Sequence, residues 1–182
     1  MPEISKTLQP VFTTNFILVT IINLFVFFIF QMIFPTLPLY IKSLGGTDSV
    51  IGLVMGTFMI TSLATRPFAG LALDKIGRKQ VFIIGLVVLG LSAFAYSLAA
   101  SVTMIVFIRL LHGFGWGIAG TATSTVAAEI IPRERFGEGM GYFSMANSLS
   151  LAIAPAAGLY ISHRYGFRDV FMLSLIHISE PT

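Results

Sequence analysis

The stretch "ALDKIGRKQVF", residues 72–82, places four charged side chains between two long apolar runs. Each flanking run has about 20 residues or more, which is enough for a helix to cross a hydrocarbon core of about 30 Å. The whole chain is 55% hydrophobic and 10% charged, whereas soluble domains carry about a quarter charged residues. The sequence therefore predicts an all-α polytopic membrane protein in which this stretch is a turn between two spanning helices.

Five apolar runs are long enough to span a bilayer. They cover residues 15–41, 50–73, 81–100, 102–129 and 141–162. Because a bilayer core offers no water to the backbone, each run must satisfy its own hydrogen bonds as a helix. The first run is too long for a cleaved signal peptide and contains Asn23 and Gln31, so we expect it to remain a membrane helix. Residues 1–14 are then an N-terminal segment, and residues 15–172 a transmembrane domain with five spans and the start of a sixth.

The lysines and arginines of the turns predict the orientation, because cytoplasmic loops are enriched in them. A cytoplasmic N-terminus puts six basic residues inside: Lys6, Lys75, Arg78, Lys79, Arg133 and Arg135. It leaves three outside: Lys42, Arg164 and Arg168. We therefore expect a multi-pass protein of the plasma membrane whose N-terminus is cytoplasmic.

Several function classes are unsupported by the composition. The chain has no cysteine, so disulfides and thiolate metal sites are excluded. The three histidines are too scattered to predict a metal site, and no metal or cofactor is expected. The basic residues lie in separate turns, so nucleic acid is not an expected partner. An H-E-x-x-H motif is absent and no catalytic residue is evident, which argues against an intramembrane enzyme.

Each residue type in the charged turn has a structural reason to be there. Residues 70–79 read G-x-x-x-D-x-x-G-R-K. Gly70 permits close helix packing, and Gly77 can adopt the positive φ of a tight turn. Asp74 can pair with Arg78, and Lys79 adds to the charge that holds the turn at the cytoplasmic face. On charge alone, the favoured interpretation is a positive-inside loop that happens to hold an aspartate.

The pattern resembles the signature between the second and third spans of the major facilitator superfamily. Two further segments agree in order and position. Residues 109–117, "RLLHGFGWG", are similar to the R-x-x-x-G-x-G-x-G motif of the fourth span in proton-coupled members, and residues 147–162, "NSLSLAIAPAAGLYIS", resemble the fifth-span antiporter motif. The end of the first span, "FPTLPLYI" at residues 34–41, suits twelve-span drug/proton antiporters. The resemblance implies the N-terminal six-helix half of a facilitator fold, whose partners are a small-molecule substrate, protons and the lipid bilayer.

Two departures from the family pattern soften the antiporter assignment. In the fifth-span motif, Ala154 and Ala157 stand where glycines are usual, although Pro155 and Gly158 still allow close packing. The first span has no carboxylate, where many drug/proton antiporters place one. The usual proton site is therefore not visible in that span.

Arg109 is the strongest candidate for a functional residue within a span. A cation at that depth is costly unless it finds a partner or a wet cavity. His112 and Trp116 follow on the same helix face, so the three form a stripe that could face a central cavity. The resemblance implies that Arg109 assists proton movement. His112 titrates near neutrality when unperturbed, which makes it a candidate proton carrier, with a hydrogen-bonded structural histidine as the alternative.

Other residues of the spans have packing or gating interpretations. Gly113 and Gly117 recur at helical spacing and predict a closely packed neighbouring helix. By resemblance, Glu129 joins Asp74 and Arg78 in an inner gate network, with an ordinary surface charge as the alternative. Arg66, in "TRPFAG", could line the pathway, but we expect it to snorkel to the inner surface.

The last ten residues, "LSLIHISEPT" at 173–182, do not continue a span. They match the translation of a sequencing-library adapter, so we expect a non-native tail and a native sequence that stops near Met172. The C-terminal half of the chain would then be missing, and this fragment would not transport by itself, because substrate binds between the two halves. Three functions follow for the parent. They are proton-coupled efflux by alternating access, a sugar or amino-acid permease of the same superfamily, and a membrane scaffold without transport.

Overall fold

The computed structural model describes residues 10–167 and 169–171, and these residues form long helices without any strand. The helices are α1 (Thr14–Ser43), α2 (Asp48–Ile76), α3 (Arg78–Leu98), α4 (Val102–Ile130) and α5 (Phe136–Arg164), with a short 3-10 turn at Arg133–Arg135 before α5. All five are long and apolar enough to cross a membrane. The predicted all-α fold with five spans is confirmed. The predicted tail at 173–182 and the segment before residue 10 lie outside the described residues.

Three of the helices begin at a hydroxyl side chain. The Oγ1 of Thr13 accepts from the backbone N–H of Phe16 at 3.2 Å at the start of α1. The Oγ of Ser101 accepts from the N–H of Met104 at 3.2 Å at the start of α4, and Thr47 caps α2 in the same way. Such caps satisfy N–H groups that have no partner within the helix. They fix the helix starts within the polar turns, just outside the apolar runs.

The central helix is α4, which packs against α2 and α3 and also contacts α1 and α5. Glycines set how closely it approaches its neighbours. A Cβ added at Gly113 would lie 2.7 Å from the carbonyl oxygen of Phe58 in α2, and one added at Gly117 would lie 2.8 Å from that of Ser62. On the other side, a Cβ at Gly85 of α3 would lie 2.7 Å from an α4 backbone nitrogen. The α4 backbone is therefore nearly in contact with the α2 backbone on one side and with the α3 backbone on the other.

The second closely packed pair is α1 and α5. A Cβ at Gly158 would lie 2.5 Å from the carbonyl oxygen of Met32. Farther along the same interface, the Oγ of Ser150 donates to the carbonyl of Leu24 at 3.0 Å. Interhelical polar contacts and small residues are the usual means of holding membrane helices together, because lipid is as apolar as the side chains themselves.

Large apolar side chains cover much of the outer surface, and among them Ile60, Leu63 and Phe68 of α2 are each at least 70% exposed. Such exposure is costly in water but suits contact with lipid. The same helix carries glycines at which an added Cβ would meet no described atom within 4 Å, namely Gly52, Gly56 and Gly70. The close packing expected at Gly70 is therefore not made by the part of the chain that the structure describes.

The contrast between two glycines of α4 provides a test of this packing. Replacing Gly117 by alanine forces a methyl group against the backbone of α2, and overpacking of this kind typically costs about 1–3 kcal/mol. Gly120, one turn along, has no atom within 4 Å of an added Cβ. We expect Gly117→Ala to lower the thermal unfolding midpoint of the chain in detergent and Gly120→Ala to leave it unchanged or slightly raised. Equal effects of the two substitutions would contradict the close α2–α4 approach.

Candidate functional site

The charged turn between α2 and α3 is a direct junction at a single glycine. Gly77 has φ of 107° and is the C-cap of α2 and the N-cap of α3. Few L side chains tolerate that backbone conformation, which explains a glycine at this position. The junction places Arg78 in the first turn of α3 and Asp74 in the last turn of α2, so the two side chains are neighbours.

Arg78 is the centre of an ion-pair network that links three helices. Its Nη2 lies 2.7 Å from Oε1 of Glu129 in α4 and 3.5 Å from Oδ1 of Asp74 in α2. Its Nη1 donates to the carbonyl oxygen of Leu73 at 3.1 Å. Lys79 is exposed and forms no ion pair within the described residues. The side chains of the network are partly exposed and screened by solvent, so each pair contributes little to stability. A network this weak is suited to being opened and closed.

Arg109 is fully buried between α2, α3 and α4. Its Nη2 donates to the Sδ of Met55 at 3.2 Å. The guanidinium carbon lies 5.0 Å from the ring centroid of Phe58 and 5.9 Å from that of Tyr96, which are cation–π contacts. The Nε and Nη1 atoms have no hydrogen-bond partner among the described residues. The cation is thus held by soft and aromatic groups instead of a counter-charge.

No described carboxylate lies in the middle of a span. The acidic residues that the structure describes are in the terminal turns of helices or in the short segments between and after them: Asp48, Asp74, Glu129, Glu134, Glu138 and Asp169. Groups of three His, Cys, Asp or Glu that could bind a metal ion are absent from the described part of the chain. Arg109 therefore has no ionic partner within this chain as far as it is described.

His112 lies one helical turn from Arg109 and is also buried. Its Nδ1 is 3.3 Å from the hydroxyl of Tyr96. The rings of Phe30, Phe58 and Tyr96 surround the imidazole edge-on, with centroid distances of 5.3 to 6.3 Å. Tyr96 contacts both Arg109 and His112, and it thereby connects the two groups that the sequence singled out separately. Tyr96 was not among the predicted site residues, because nothing in its local sequence marks it.

The predicted stripe of α4 exists, but most of it is covered. Arg109, His112 and Trp116 share one face of the helix, as their spacing requires. The first two are enclosed by side chains of α1, α2 and α3, whereas Trp116 lies at the wall of an open pocket. Of the three, Trp116 alone lines this open pocket, whereas His112 lines a small apolar cavity beside it together with Phe30 and Leu89.

An open pocket of about 310 Å³ lies between α1, α2, α4 and α5. Six of its nine lining residues have polar side chains, and the nine are Asn23, Phe27, Arg66, Trp116, Gly120, Thr121, Ser124, Thr125 and Asn147. The sequence favoured snorkelling for Arg66, whereas the structure places this arginine at the pocket. The sequence does contain one signal for a polar pocket, which is the run of small and hydroxyl residues at 120–125. Had this run been paired with the face of α2 that carries Arg66, it could have indicated that Arg66 lies at the pocket.

The two fifth-span motif residues occupy different environments. Gly158 contacts the α1 backbone, as described above, while Pro155 is half-buried within α5. Ala154, which stands where the family pattern has glycine, is fully buried. A methyl group is therefore accommodated in the helix interface at this position.

Comparison with known proteins identifies the family to which the chain is similar. The family model described as Major Facilitator Superfamily matches residues 19–177. The "Quinolone resistance protein NorA" of Staphylococcus aureus is 27% identical over 176 residues, covering 91% of this chain and 45% of that protein. The "Multidrug resistance protein 2" of Bacillus subtilis is 33% identical over 153 residues, covering 84% of this chain and 38% of that protein.

The chain thus spans less than half the length of these curated relatives. The matched range passes residue 172 and ends at 177, so the boundary of a non-native tail at 173 stays a prediction. The superfamily consists of transporters and is not in general enzymatic. With five membrane-length helices and a family match over most of its residues, the chain is a multi-pass cell-membrane protein that belongs to the Major Facilitator Superfamily.

Proposed function

We propose that this chain is the N-terminal part of a proton-coupled exporter of small, largely apolar compounds that works by alternating access. The names of the two relatives, a quinolone resistance and a multidrug resistance protein, support export of small molecules. The N-terminus would be cytoplasmic, which places the α2–α3 turn inside the cell. The described helices contribute only one side of a binding cavity, so we expect the 182-residue chain alone to be inactive in transport.

The observation that carries the proposal is the unpaired buried cation at Arg109. A charge inside a membrane protein without a counter-ion is costly and marks a functional site. Two of its nitrogen atoms have no described hydrogen-bond partner, so they are free to bind a group that arrives during the cycle. A carboxylate on another part of the complete protein would bind there when ionised and leave when protonated. Such an exchange couples proton binding to conformation.

His112 is the second element of the proposed proton site. Its contact with Tyr96, which also faces Arg109, places a titratable group one turn from the fixed cation. A proton on His112 would put two positive charges close together, and like charges at short range repel strongly in a medium of low dielectric constant. Protonation of His112 and the position of Arg109 are therefore coupled.

The network of Asp74, Arg78 and Glu129 is the proposed cytoplasmic gate. It ties the ends of α2, α3 and α4 together at the side that would face the cytoplasm. Such contacts favour the state in which that side is closed, and their loss shifts the population toward the open state. Each pair is weak, so a modest change in free energy suffices to open the gate.

Substitution of Arg109 in the complete transporter tests the proton mechanism. Loss of a charge-assisted interaction is worth about 1.5–3 kcal/mol, so we expect Arg109→Ala to reduce export driven by a pH gradient in proteoliposomes about 10- to 100-fold. Arg109→Lys, which keeps the charge, should retain more activity. Arg164→Ala removes an exposed arginine at the end of α5, away from the contacts of Arg109, and serves as the control. Proton-driven export by Arg109→Ala at the unmodified rate would refute the mechanism.

The gate is tested by chemical access to the pocket. The chain has no cysteine, so Ser124→Cys provides a single reporter at the pocket wall in a complete transporter otherwise free of cysteine. Because exposed ion pairs are weak, Asp74→Asn or Glu129→Gln should raise the rate of labelling by a cytoplasmic, membrane-impermeant maleimide about two- to fivefold. Glu134→Gln removes an exposed acid outside the network and should leave the rate unchanged. Unaltered labelling in Asp74→Asn and in Glu129→Gln would show that the network is not a gate.

A further inference from the structure

The open pocket contains one cation and no described acid. Arg66 lies ten residues before the end of α2 at Ile76, which is about 15 Å along the helix axis at 1.5 Å per residue. Its side chain is exposed at the pocket and, in the part of the chain that the structure describes, forms neither an ion pair nor a hydrogen bond. No acidic residue belongs to the pocket lining. This side of the cavity therefore has a net positive charge.

The other polar groups of the pocket add hydrogen-bond donors. The hydroxyls of Ser124 and Thr125 make no hydrogen bond with a described residue, whereas that of Thr121 donates to its own helix at 2.6 Å. The Nδ2 of Asn23 donates to the Oδ1 of Asn147 at 2.6 Å, which leaves the amide N–H groups of Asn147 available to a ligand. Donors around a fixed cation favour an anionic group.

One wall of the pocket is aromatic. The rings of Phe27 and Trp116 meet edge to face with their centroids 4.9 Å apart. An apolar ring system can pack there while a polar group reaches Arg66. A cavity of about 310 Å³ is at the small end of the usual size for ligand pockets, about 300–1,000 Å³. A compact molecule with one aromatic and one charged end fits these constraints.

We propose that Arg66 makes this pocket selective for amphiphilic carboxylates, with the anionic group on the guanidinium and the aromatic body against Phe27 and Trp116. The inference rests on the proposed function, because it identifies the pocket as this chain's part of the transport pathway. A guanidinium binds a carboxylate through two parallel hydrogen bonds. An organic cation of the same shape is repelled by the same charge, so the pocket discriminates by sign as well as by shape.

The single tryptophan of the chain allows a direct measurement. Trp116 is the one tryptophan among 182 residues, so its fluorescence reports occupancy of the pocket. The 182-residue chain in nanodiscs of zwitterionic phosphatidylcholine is titrated with para-bromobenzoate and with para-bromobenzylammonium, two quenchers of the same shape and opposite charge. We expect saturable quenching by the carboxylate at a concentration at least about tenfold lower than for the ammonium compound.

Three variants assign that preference to the arginine. Arg66→Gln should weaken carboxylate binding about 10- to 100-fold, the loss typical of a hydrogen bond to a charged group, and remove the preference. Arg66→Lys keeps a positive charge at this position, so it should still prefer the carboxylate to the ammonium compound. Arg133→Gln makes the same change of net charge at an exposed site outside the pocket and should have no effect. Helical circular dichroism verifies folding, and if Arg66→Gln does not fold, the unmodified chain and Arg66→Lys decide the question.

Two results of the quenching experiment would overturn the inference: equal quenching by the two compounds in the unmodified chain, or an equal loss of preference in Arg133→Gln and Arg66→Gln. Export assays of the complete protein separate this inference from the proposed function. Proton-driven export without any dependence on Arg66 would leave the function intact and refute the selectivity. Carboxylate-selective quenching in a protein that exports nothing would support the selectivity and refute the proposed function.

Discussion

The close approach of α4 to α2 and α3 determines where the side chains of the site meet. Gly113 and Gly117 bring the α4 backbone against α2, and Gly85 brings α3 against α4 from the other side. Only this spacing lets Met55, Phe58 and Tyr96 reach the guanidinium of Arg109 at the same time. A membrane provides no hydrophobic force between helices, so packing between small residues has to hold this arrangement.

The two charged features at opposite ends of α4 differ in a way that suits their proposed roles. Arg109 is sealed from solvent and lacks a counter-charge, so its environment changes strongly if an ionised partner arrives. Arg78 is partly exposed and paired with two carboxylates, so its contacts are inexpensive to break. Arg109 and Glu129, the partner of Arg78, both lie on α4, so a movement of this helix would change the contacts of both arginines. This is the physical link that a coupled transporter requires.

Much of the fold was predictable, because membrane spans depend on length and hydropathy alone. The pairing of Asp74 with Arg78 follows from a spacing of four residues across a tight turn. Glu129 is 51 residues from Arg78, and only resemblance to a family could indicate that contact. The pocket position of Arg66 depends on how α2 is rotated against α1, α4 and α5, which a single sequence does not determine. For the same reason, a glycine such as Gly70 cannot be assigned to an interface from sequence alone.

We propose that these helices are one side of a larger transporter, and the reading frame of the source locus can decide whether they are. Amplifying and sequencing the genomic DNA across the codon for Met172 requires no protein. We expect the frame to continue into a sixth span and a second set of membrane helices, without the residues "LSLIHISEPT". A genomic frame that encodes this tail and then stops would contradict it. The chain would then be a complete five-span protein, and the scaffold interpretation would replace the exporter.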